Sequence, residues 1–540
     1  MRILSRLILT VTLAALLFTL PLQAGNNQSV GETIEQFVTS GHVNLGKSVE
    51  EQRLFQIFTF YQDRSFKPVW TRDNGVKGKG KALLKALQNA QEHGLDPDFY
   101  NTKDITERIN STNPEELAEL DLLMSLAFSS FAIDLSKGRL DPTKISKEVH
   151  INTFSPGAVT LIDGAEEAVD LEPYLDRLAS TMPRYHRLKK ALARYRAMAS
   201  QGEWPKVASG KSLKAGMEDP RVPVLRQRLL ASGDLATNEA PTDSTLYDEM
   251  LVGAVKAFQL RHGKAADGVV GPATLSALNV PLSYRIKQMV INLERRRWMK
   301  DDLGKRYVFV NLADQILKVV DTLETREKTI HTARVVVGKT FHKTPIFNDE
   351  MEYLVINPYW NVPSSIANNE YLPKLRRDPG YLQRQNIRIL GTNGEVNPFS
   401  INWNSLSRVP YRLRQDTGKK NALGRIKFIF PNPHNVYIHD TPSKSLFTRA
   451  TRYFSHGCIR VQNPVKLATT LLKAQGWNAA KINRKISLGE RKIVSLKNKI
   501  PVHITYLTAW VNKDGQINFR TDVYKRDKPL FKALFPGSKN

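Results

Sequence analysis

Cysteine is almost absent from this chain: Cys458 is the only one among 540 residues, so no internal disulfide can form. A single thiol left over in an oxidising compartment is a liability unless it has a function. A buried, inert cysteine is the alternative interpretation when the residue is considered alone. The residues around Cys458 must therefore distinguish a reactive thiol from a structural one.

Acidic residues are scarce relative to basic ones, with 52 Asp and Glu against 79 Lys and Arg and a formal net charge of +27. Such an excess indicates a polyanionic partner or surrounding, for which nucleic acid, anionic lipid and a carboxylate-rich cell wall all qualify. The hydrophobic share of 41% and the charged share of 24% exclude wholesale disorder and a polytopic membrane protein. The length predicts about three compact units, because single cores stop growing well below it.

Long apolar runs are also missing, except at the N-terminus. Arg2 and Arg6 precede the apolar run Leu7 to Leu22, and Ala24 stands before Gly25. This pattern predicts a secretory signal peptide over residues 1–24, and the lack of a following cysteine excludes lipoprotein processing. An uncleaved run would instead leave a marginal membrane anchor. Because the chain is predicted to be exported and soluble after this run, nucleic acid is not expected as a partner.

Residues 30–205 are rich in helical apolar spacing and are expected to form a helical domain. A polar linker follows over 206–220, and three short helices are expected in the next 60 or so residues. The segment 254–279, with the turn Asp267-Gly268-Val269-Val270-Gly271-Pro272, closely resembles the three-helix peptidoglycan-binding module of cell-wall enzymes. That resemblance covers residues 218–280.

An amphipathic connecting helix is expected over 285–300, with the run Arg295-Arg296-Arg297 on a solvated or docking face. From residue 305 the pattern changes to short β-rich runs bounded by Gly, Asn and Pro. A β-dominated domain is therefore predicted over 305–500, followed by C-terminal strands and a tail over 501–540.

Within this domain, residues 425–430 and 435–439 read as two strands of a hairpin, the second of which ends at His439. Cys458 lies in Ser455-His456-Gly457-Cys458-Ile459-Arg460, on a predicted turn entering a helix that starts at Asn463-Pro464. A thiol with an ordinary pKa near 8.5 needs a base or a cation to react, and His439, His456 and Arg460 are the candidates. Gly457 permits a tight turn whose N–H groups are available to an oxyanion.

The sequence Ile438-His439-Asp440 followed by Ser455 to Arg460 resembles the signature of the YkuD-type L,D-transpeptidases. The resemblance implies that Cys458 is the nucleophile and His439 its general base. It also implies that nearby residues shape the pocket or bind a substrate carboxylate; these are Arg460, His456, Ser455, Gly457, Tyr437 and Trp360. In this family a backbone carbonyl often orients the histidine, so the Asp440 side chain is not assigned a role.

Further matches are typical of the large YcbB-like branch of this family, namely Lys343-Thr344-Pro345, residues 357–363 and Asn421-Ala422-Leu423-Gly424. That branch carries a scaffold domain, a peptidoglycan-binding module and a capping subdomain, here over 366–425. The expected fold is therefore α+β and multidomain, with a helical N-terminal scaffold, a small three-helix module and a β-rich catalytic domain under a cap. The long basic segment over 366–425 independently favours a lid.

The resemblance implies an enzyme that takes a tetrapeptide stem, expels D-Ala through an acyl-thioester on Cys458 and joins two stems by a 3→3 cross-link. Donor and acceptor stems are the expected partners, the periplasm is the expected location, and no cofactor or metal is required. Attack by water or another amine would give a carboxypeptidase or a protein-anchoring enzyme, and a dead catalytic domain would leave a wall-binding scaffold. A zinc site of His434, His439 and His456 lacks the usual paired spacing. Accompanying envelope proteins are not identifiable.

Overall fold

The computed structural model describes residues 28–41, 51–236, 244–323 and 326–537. The predicted signal peptide lies outside these ranges. Within them, no helix combines the length and apolar character needed to cross a membrane. The chain divides into two compact units, one of residues 1–84 and 101–127 and the other of residues 85–100 and 128–540.

The first unit is helical around a buried carboxylate, and two of its helices continue into the second unit. Its elements are α1 (Val30–Ser40), α2 (Glu51–Asp63), β1 (Thr71–Arg72), β2 (Gly75–Val76), α3 (Gly78–Gln88), α4 (Thr102–Arg108) and α5 (Pro114–Lys137). Asp121 is fully buried and accepts hydrogen bonds from the backbone N–H groups of Val69, Trp70 and Thr71. These hydrogen bonds to its carboxyl oxygens therefore fix the chain leading into β1.

The second unit begins with helices that complete the N-terminal helical region. They are α6 (Pro142–Ile145), α7 (Ala158–Glu167), α8 (Leu171–Leu178) and α9 (Pro183–Ala199), with the short strand β3 (Val149–His150) between α6 and α7. Helices α6 and α9 each have a proline in the first turn. An N–H group at that position has no partner within the helix, so proline, which has no N–H, breaks no helical hydrogen bond there.

Three short helices follow, α10 (Val222–Ala231), α11 (Glu249–Arg261) and α12 (Pro272–Leu278), and they surround one apolar core. The Gln259 amide ties the turn to α11 by donating to Asp267 Oδ1 at 2.7 Å and to the Val269 carbonyl at 3.0 Å. The prediction of a small three-helix module is confirmed.

The connecting helix α13 (Leu282–Arg297) departs from its prediction at its C-terminal end. Arg295, Arg296 and Arg297 are 4%, 5% and 3% exposed, so the solvated face, one of the two expected alternatives, is wrong. Arg295 pairs with Asp527 at 2.6 Å and Arg297 with Glu294 at 2.7 Å. Buried acidic partners therefore neutralise two of the three charges.

The β-rich region starts with an antiparallel meander in which β5 pairs with both neighbours. Its strands are β4 (Arg306–Asn311), β5 (Ile316–Leu323) and β6 (Arg326–Gly338), followed by β7 (Ile346–Ile356).

The capping region has a sheet and an apolar core of its own. Its elements are β8 (Trp360–Asn361), α14 (Ser364–Ile366), a π-helical turn (Ala367–Tyr371), α15 (Leu372–Arg377), α16 (Tyr381–Arg384), β9 (Ile387–Gly391), β10 (Gly394–Glu395) and β11 (Arg412–Gln415). The strand order is β10-β9-β11-β8. Trp360 packs in the core of this region with Leu375 and Trp403.

The chain then returns to the first sheet. The elements are β12 (Ile426–Ile429), β13 (Ile438–His439), β14 (Tyr453–Ser455), β15 (Ile459–Val461), α17 (Pro464–Leu472), α18 (Ala479–Ser487) and β16 (Lys492–Thr505). The pairings run β12-β13-β15-β6-β5-β4-β16-β7, and β12 also pairs with β7. These strands therefore close into a ring.

The C-terminal segment is part of the same structure. Strand β16 runs continuously through residue 500, where the sequence predicted a boundary, and it pairs with β4 and β7. It is followed by the hairpin β17 (Ala509–Val511) and β18 (Ile517–Phe519) and by α19 (Asp527–Leu534). The α+β multidomain fold, with an N-terminal helical region and a β-rich C-terminal domain, is confirmed.

Candidate active site

Three adjacent strands place a row of polar side chains on one face of the sheet. Lys427 on β12 pairs with His439 on β13, and His439 pairs with Arg460 on β15. Residues directly opposite one another in a sheet project from the same face. The other face of these strands carries the fully buried Phe428, Ile438 and Ile459. Because that apolar face is packed, the polar row is held in place from below.

The turn before β15 carries Cys458, and hydrogen bonds within the turn fix its shape. Ser455 Oγ donates to the Cys458 carbonyl at 2.5 Å and accepts from the Gly457 N–H at 3.2 Å. Thr344 Oγ1 donates to the Gly457 carbonyl at 2.7 Å. Gly457 has φ +115°, a conformation that other residues rarely adopt. Ser455, Gly457 and the fully buried Thr344 therefore hold the turn.

One expectation about this turn is corrected, and another stays a prediction. The Gly457 N–H is bonded to Ser455 Oγ within the turn, so it is not free to donate to an oxyanion. That other N–H groups of the turn serve an oxyanion stays a prediction. Cys458 leads into strand β15 rather than directly into a helix, and α17 starts only at Pro464. Asn463 has φ 51° and makes no side-chain capping bond. The hairpin of β12 and β13 agrees with the prediction.

His439 is held by its own backbone neighbour. Its Nδ1 lies 2.5 Å from the Asp440 carbonyl oxygen, which can only accept, so Nδ1 carries the proton and Nε2 keeps its lone pair. The Asp440 carboxylate is engaged elsewhere, with the Arg425 N–H at 2.8 Å and with Lys444. Burial, and then Arg460 and Lys427, lower the pKa of His439 to about 3. The imidazole is therefore neutral at neutral pH.

The Cys458 thiol is half-buried and donates to the Asn435 carbonyl at 3.6 Å. Burial raises the pKa of the Cys458 thiol above its ordinary value, while hydrogen bonds from the Tyr437 backbone and hydroxyl, then Lys427 and Arg460, oppose that rise. The resting site therefore holds a protonated thiol and a neutral imidazole that line one cavity. A thiol in this state would act as a nucleophile only with transfer of its proton to a base.

A cavity of about 590 Å³ lies above this row. The expected residues that line it are Cys458, His439, Arg460, His456, Ser455, Tyr437 and Trp360. Gly457 is not among its lining residues, so it acts through the shape of the turn. The volume falls within the range of small-ligand sites.

The cap contributes directly to the cavity. Glu370, on the π-helical turn, lies 2.6 Å from Nε2 of His456, and both side chains are partly exposed. Burial lowers the pKa of His456, whereas Glu370 acts to raise it. His456 therefore joins the Cys458 turn to the cap, a role that the sequence interpretation did not include.

Lys427 is the main residue that the sequence interpretation did not assign. Its Nζ lies 3.7 Å from the centroid of the Tyr437 ring, and burial lowers the pKa of this lysine. It lines the cavity beside His439. A residue that pairs with His439 across the hairpin lies on the same face of the sheet as His439. The sequence would therefore have identified Lys427 only if the register of the hairpin had been known.

The three histidines weighed as a zinc site all line the cavity. Across the described ranges, however, no group of three His, Cys, Asp or Glu residues is arranged to hold a metal ion. His434 instead packs against His150, with ring centroids 4.1 Å apart and the ring planes tilted by 32°.

Sequence comparison assigns this region to a known domain. Residues 305–494 match the YkuD family, described as the L,D-transpeptidase catalytic domain. Residues 56–192 match a scaffold domain and residues 218–278 a peptidoglycan-binding domain. The chain therefore carries a YkuD-type L,D-transpeptidase catalytic domain. It carries scaffold and peptidoglycan-binding modules as well.

A protein of Haemophilus influenzae that bears the name of an L,D-transpeptidase is 33% identical over 246 residues, or 45% of this chain. The chain spans about half of that relative's length, 49%. Among solved structures, one match is the crystal structure of a fused zinc-dependent amidase, peptidase and peptidoglycan-binding protein of Clostridium acetobutylicum. The two sequences are 13% identical, and the alignment covers 55% of this chain and 100% of the other. Its TM-score of 0.16 carries no argument about the fold.

Proposed function

We propose that this protein joins two peptidoglycan stems by a 3→3 cross-link through an acyl-thioester on Cys458. The observation that carries the proposal is the neutral His439, whose Nε2 is free to accept a proton and which lines the same cavity as the thiol. The family membership and the peptidoglycan-binding domain supply the substrate class.

In the first half-reaction, His439 Nε2 takes the thiol proton as Sγ attacks the carbonyl of the third stem residue. The oxygen of the resulting tetrahedral intermediate carries negative charge. We assign its stabilisation to Arg460, Lys427 and the Tyr437 hydroxyl, because all three residues line the cavity. Collapse breaks the bond to the terminal D-Ala, whose amine leaves with the proton from His439. A thioester on Cys458 remains.

In the second half-reaction, the side-chain amine of another stem attacks the thioester carbonyl. His439 accepts the proton that the amine loses and returns it to sulfur as the C–S bond breaks. The new amide links the two stems, and the thiol is restored. The catalytic groups in both half-reactions are side chains of this protein, and the attacking amine comes from the acceptor stem.

The cap suits this sequence of events. Glu370 and Ile366 line the cavity above Cys458, so the cap region covers part of the site where a thioester would form. A covered site limits attack by water and favours an amine acceptor. We further propose that the protein acts in the periplasm at the cell wall after export by its N-terminal signal, and contributes to cell shape by cross-linking.

The test is incubation of the secreted-form protein with disaccharide-tetrapeptide, followed by mass spectrometry. Dimer and free D-Ala are expected from the wild type and neither from Cys458→Ala or His439→Ala. His186→Ala is the matched control, because His186 is exposed and does not line the cavity.

The other products decide between the remaining functions. Formation of tripeptide without dimer would indicate that the enzyme is not a transpeptidase between stems. It would then be a carboxypeptidase or an enzyme that uses another acceptor, such as a protein amine. Binding to wall material with no turnover would leave a non-enzymatic scaffold. Loss of the dimer in the His186→Ala control would show that the assay reports folding rather than chemistry.

A further inference from the structure

A second, smaller depression adjoins the catalytic cavity. It has a volume of about 290 Å³ and shares Tyr359, Asn361 and Lys427 with the catalytic cavity. The two depressions therefore adjoin at Lys427. Among the described residues that line the smaller one, four side chains are cationic and none is acidic. We name this depression the basic groove; its cations are Arg412, Arg414, Lys427 and Arg491.

The strand register fixes how far the basic groove extends from the catalytic residues. Lys427 pairs with His439 on one side and with Val355 of β7 on the other. Ile429 and Tyr353, the next pair on the same face, also line the groove. Neighbouring strands lie about 4.8 Å apart, so the groove floor on β7 is about 10 Å from the β13 strand that carries His439.

Two of the four cations of the basic groove have no acidic partner among the described residues. Arg412 and Arg491 are exposed and form no ion pair with any described residue. Arg414 pairs with Asp416 at 3.3 Å, but its buried Nε has no hydrogen-bond partner. Its guanidinium lies 4.7 Å from the centroid of the Tyr359 ring. Like charges gathered in one depression repel one another, so an anion bound there would relieve this repulsion.

Carboxylates match this groove better than a neutral ligand. An arginine guanidinium presents paired N–H donors that fit the two oxygens of a carboxylate. Tyr353 and Tyr359 add flat apolar walls against which an aliphatic peptide segment packs. An extended peptide advances about 3.3 to 3.6 Å per residue, so about three residues span the distance from His439 to the groove floor.

We propose that the basic groove binds a carboxylate of a peptidoglycan peptide stem while another part of that stem is positioned at Cys458. The proposal rests on the proposed function, because it assigns part of that reaction's substrate to a second subsite. The groove then acts in binding and orientation, and the bond-making steps remain with Cys458 and His439. Arg412 and Arg491 are its most accessible contacts.

The test compares the full chain with Arg412→Gln, Arg491→Gln and the double variant. Both side chains are exposed, so these variants are expected to fold, which circular dichroism checks. The substrates are disaccharide-tetrapeptide and the same compound with its stem carboxylates amidated. The control variant is Arg484→Gln, which removes an exposed charge nearby but outside the groove.

The double variant is expected to raise KM for the free-carboxylate substrate by roughly tenfold, with kcat little changed, because two exposed charged contacts together contribute about that factor. The rise should be absent with the amidated substrate and with Arg484→Gln. An unchanged KM would overturn the proposal. So would an equal rise with the amidated substrate, or an equal rise in the control, which would indicate general charge attraction.

The outcome for the wild type separates the two proposals. If the wild-type protein does not release D-Ala from the tetrapeptide, the proposed function is refuted, and so is the groove assignment that rests on it. Normal wild-type turnover combined with wild-type kinetics in the double variant would remove only the groove assignment.

Discussion

Acylation of Cys458 is expected to remain fast at pH 5, because His439 is neutral there. Burial, followed by Arg460 and Lys427, lowers the pKa of His439 to about 3. A histidine with an ordinary pKa of 6.5 would be only about 3% neutral at pH 5, so a reaction that needs the neutral base would slow roughly 30-fold. With a pKa near 3, about 99% of the imidazole stays neutral and the rate stays within about twofold.

The assay is the rate of D-Ala release in a single turnover with disaccharide-tetrapeptide, measured from pH 5 to pH 8. Circular dichroism at each pH establishes that the protein stays folded. His439→Gln supplies the background rate. A sigmoidal loss of activity with a midpoint near pH 6.5 would refute the argument, since it would require an imidazole that titrates as it does in water.

The burial of His439 also makes the free energy of unfolding depend on pH, and it predicts lower stability at lower pH. The pKa of His439 is lower in the folded chain than in the unfolded one, so its contribution is complete above pH 6.5 and is lost as the pH falls toward 3. Between pH 6.5 and pH 5 the loss is on the order of 2 kcal/mol. The protection factors of the β13 amides, which correct for the intrinsic exchange rate at each pH, should fall as the pH is lowered from 6.5 to 5 in the wild type and fall much less in His439→Gln.

Three substitutions test the supports of the Cys458 turn. Gly457→Ala places a side chain on a residue with φ +115°, which should lower the free energy of unfolding by about 1–3 kcal/mol, measured by thermal melting. It should also lower kcat for the tetrapeptide at least tenfold, and a wild-type kcat would contradict this. Thr344→Val leaves the Gly457 carbonyl unpaired at a cost of about 1–3 kcal/mol in thermal unfolding, and Thr344→Ser should restore most of it. Glu370→Gln breaks a partly exposed contact with His456 worth less than about 1 kcal/mol, so kcat/KM should change less than about fivefold; a hundredfold loss would give Glu370 a direct role in the chemistry.

Local patterns were sufficient to predict the strand and turn framework around the site. The alternation in residues 425–430 and the proline-containing turn that follows predicted the β12–β13 hairpin that ends at His439. The motif around Cys458 predicted a tight turn at Gly457, and its positive φ agrees. Both features depend on residues close together in sequence, which is why single-sequence reasoning reached them.

Contacts between distant residues account for the parts that the sequence could not predict. The arginines of α13 were expected at the surface because their charges suggested solvation, yet Arg295 pairs with Asp527, 232 positions away. The contribution of Glu370 required knowing where the cap folds relative to His456. Lys427 required the register of β12 against β13. Each of these depends on tertiary pairing, which a local pattern does not encode.

The measurement that tests the central claim most directly is the site of the covalent intermediate. Wild-type protein is mixed with disaccharide-tetrapeptide, quenched in acid within the first turnover, digested and analysed by mass spectrometry. The account predicts a thioester-linked disaccharide-tripeptide on the peptide containing Cys458, with one D-Ala released per adduct, and its disappearance when an acceptor stem is added. An adduct on any other residue, or cross-linked product formed by Cys458→Ala, would contradict it.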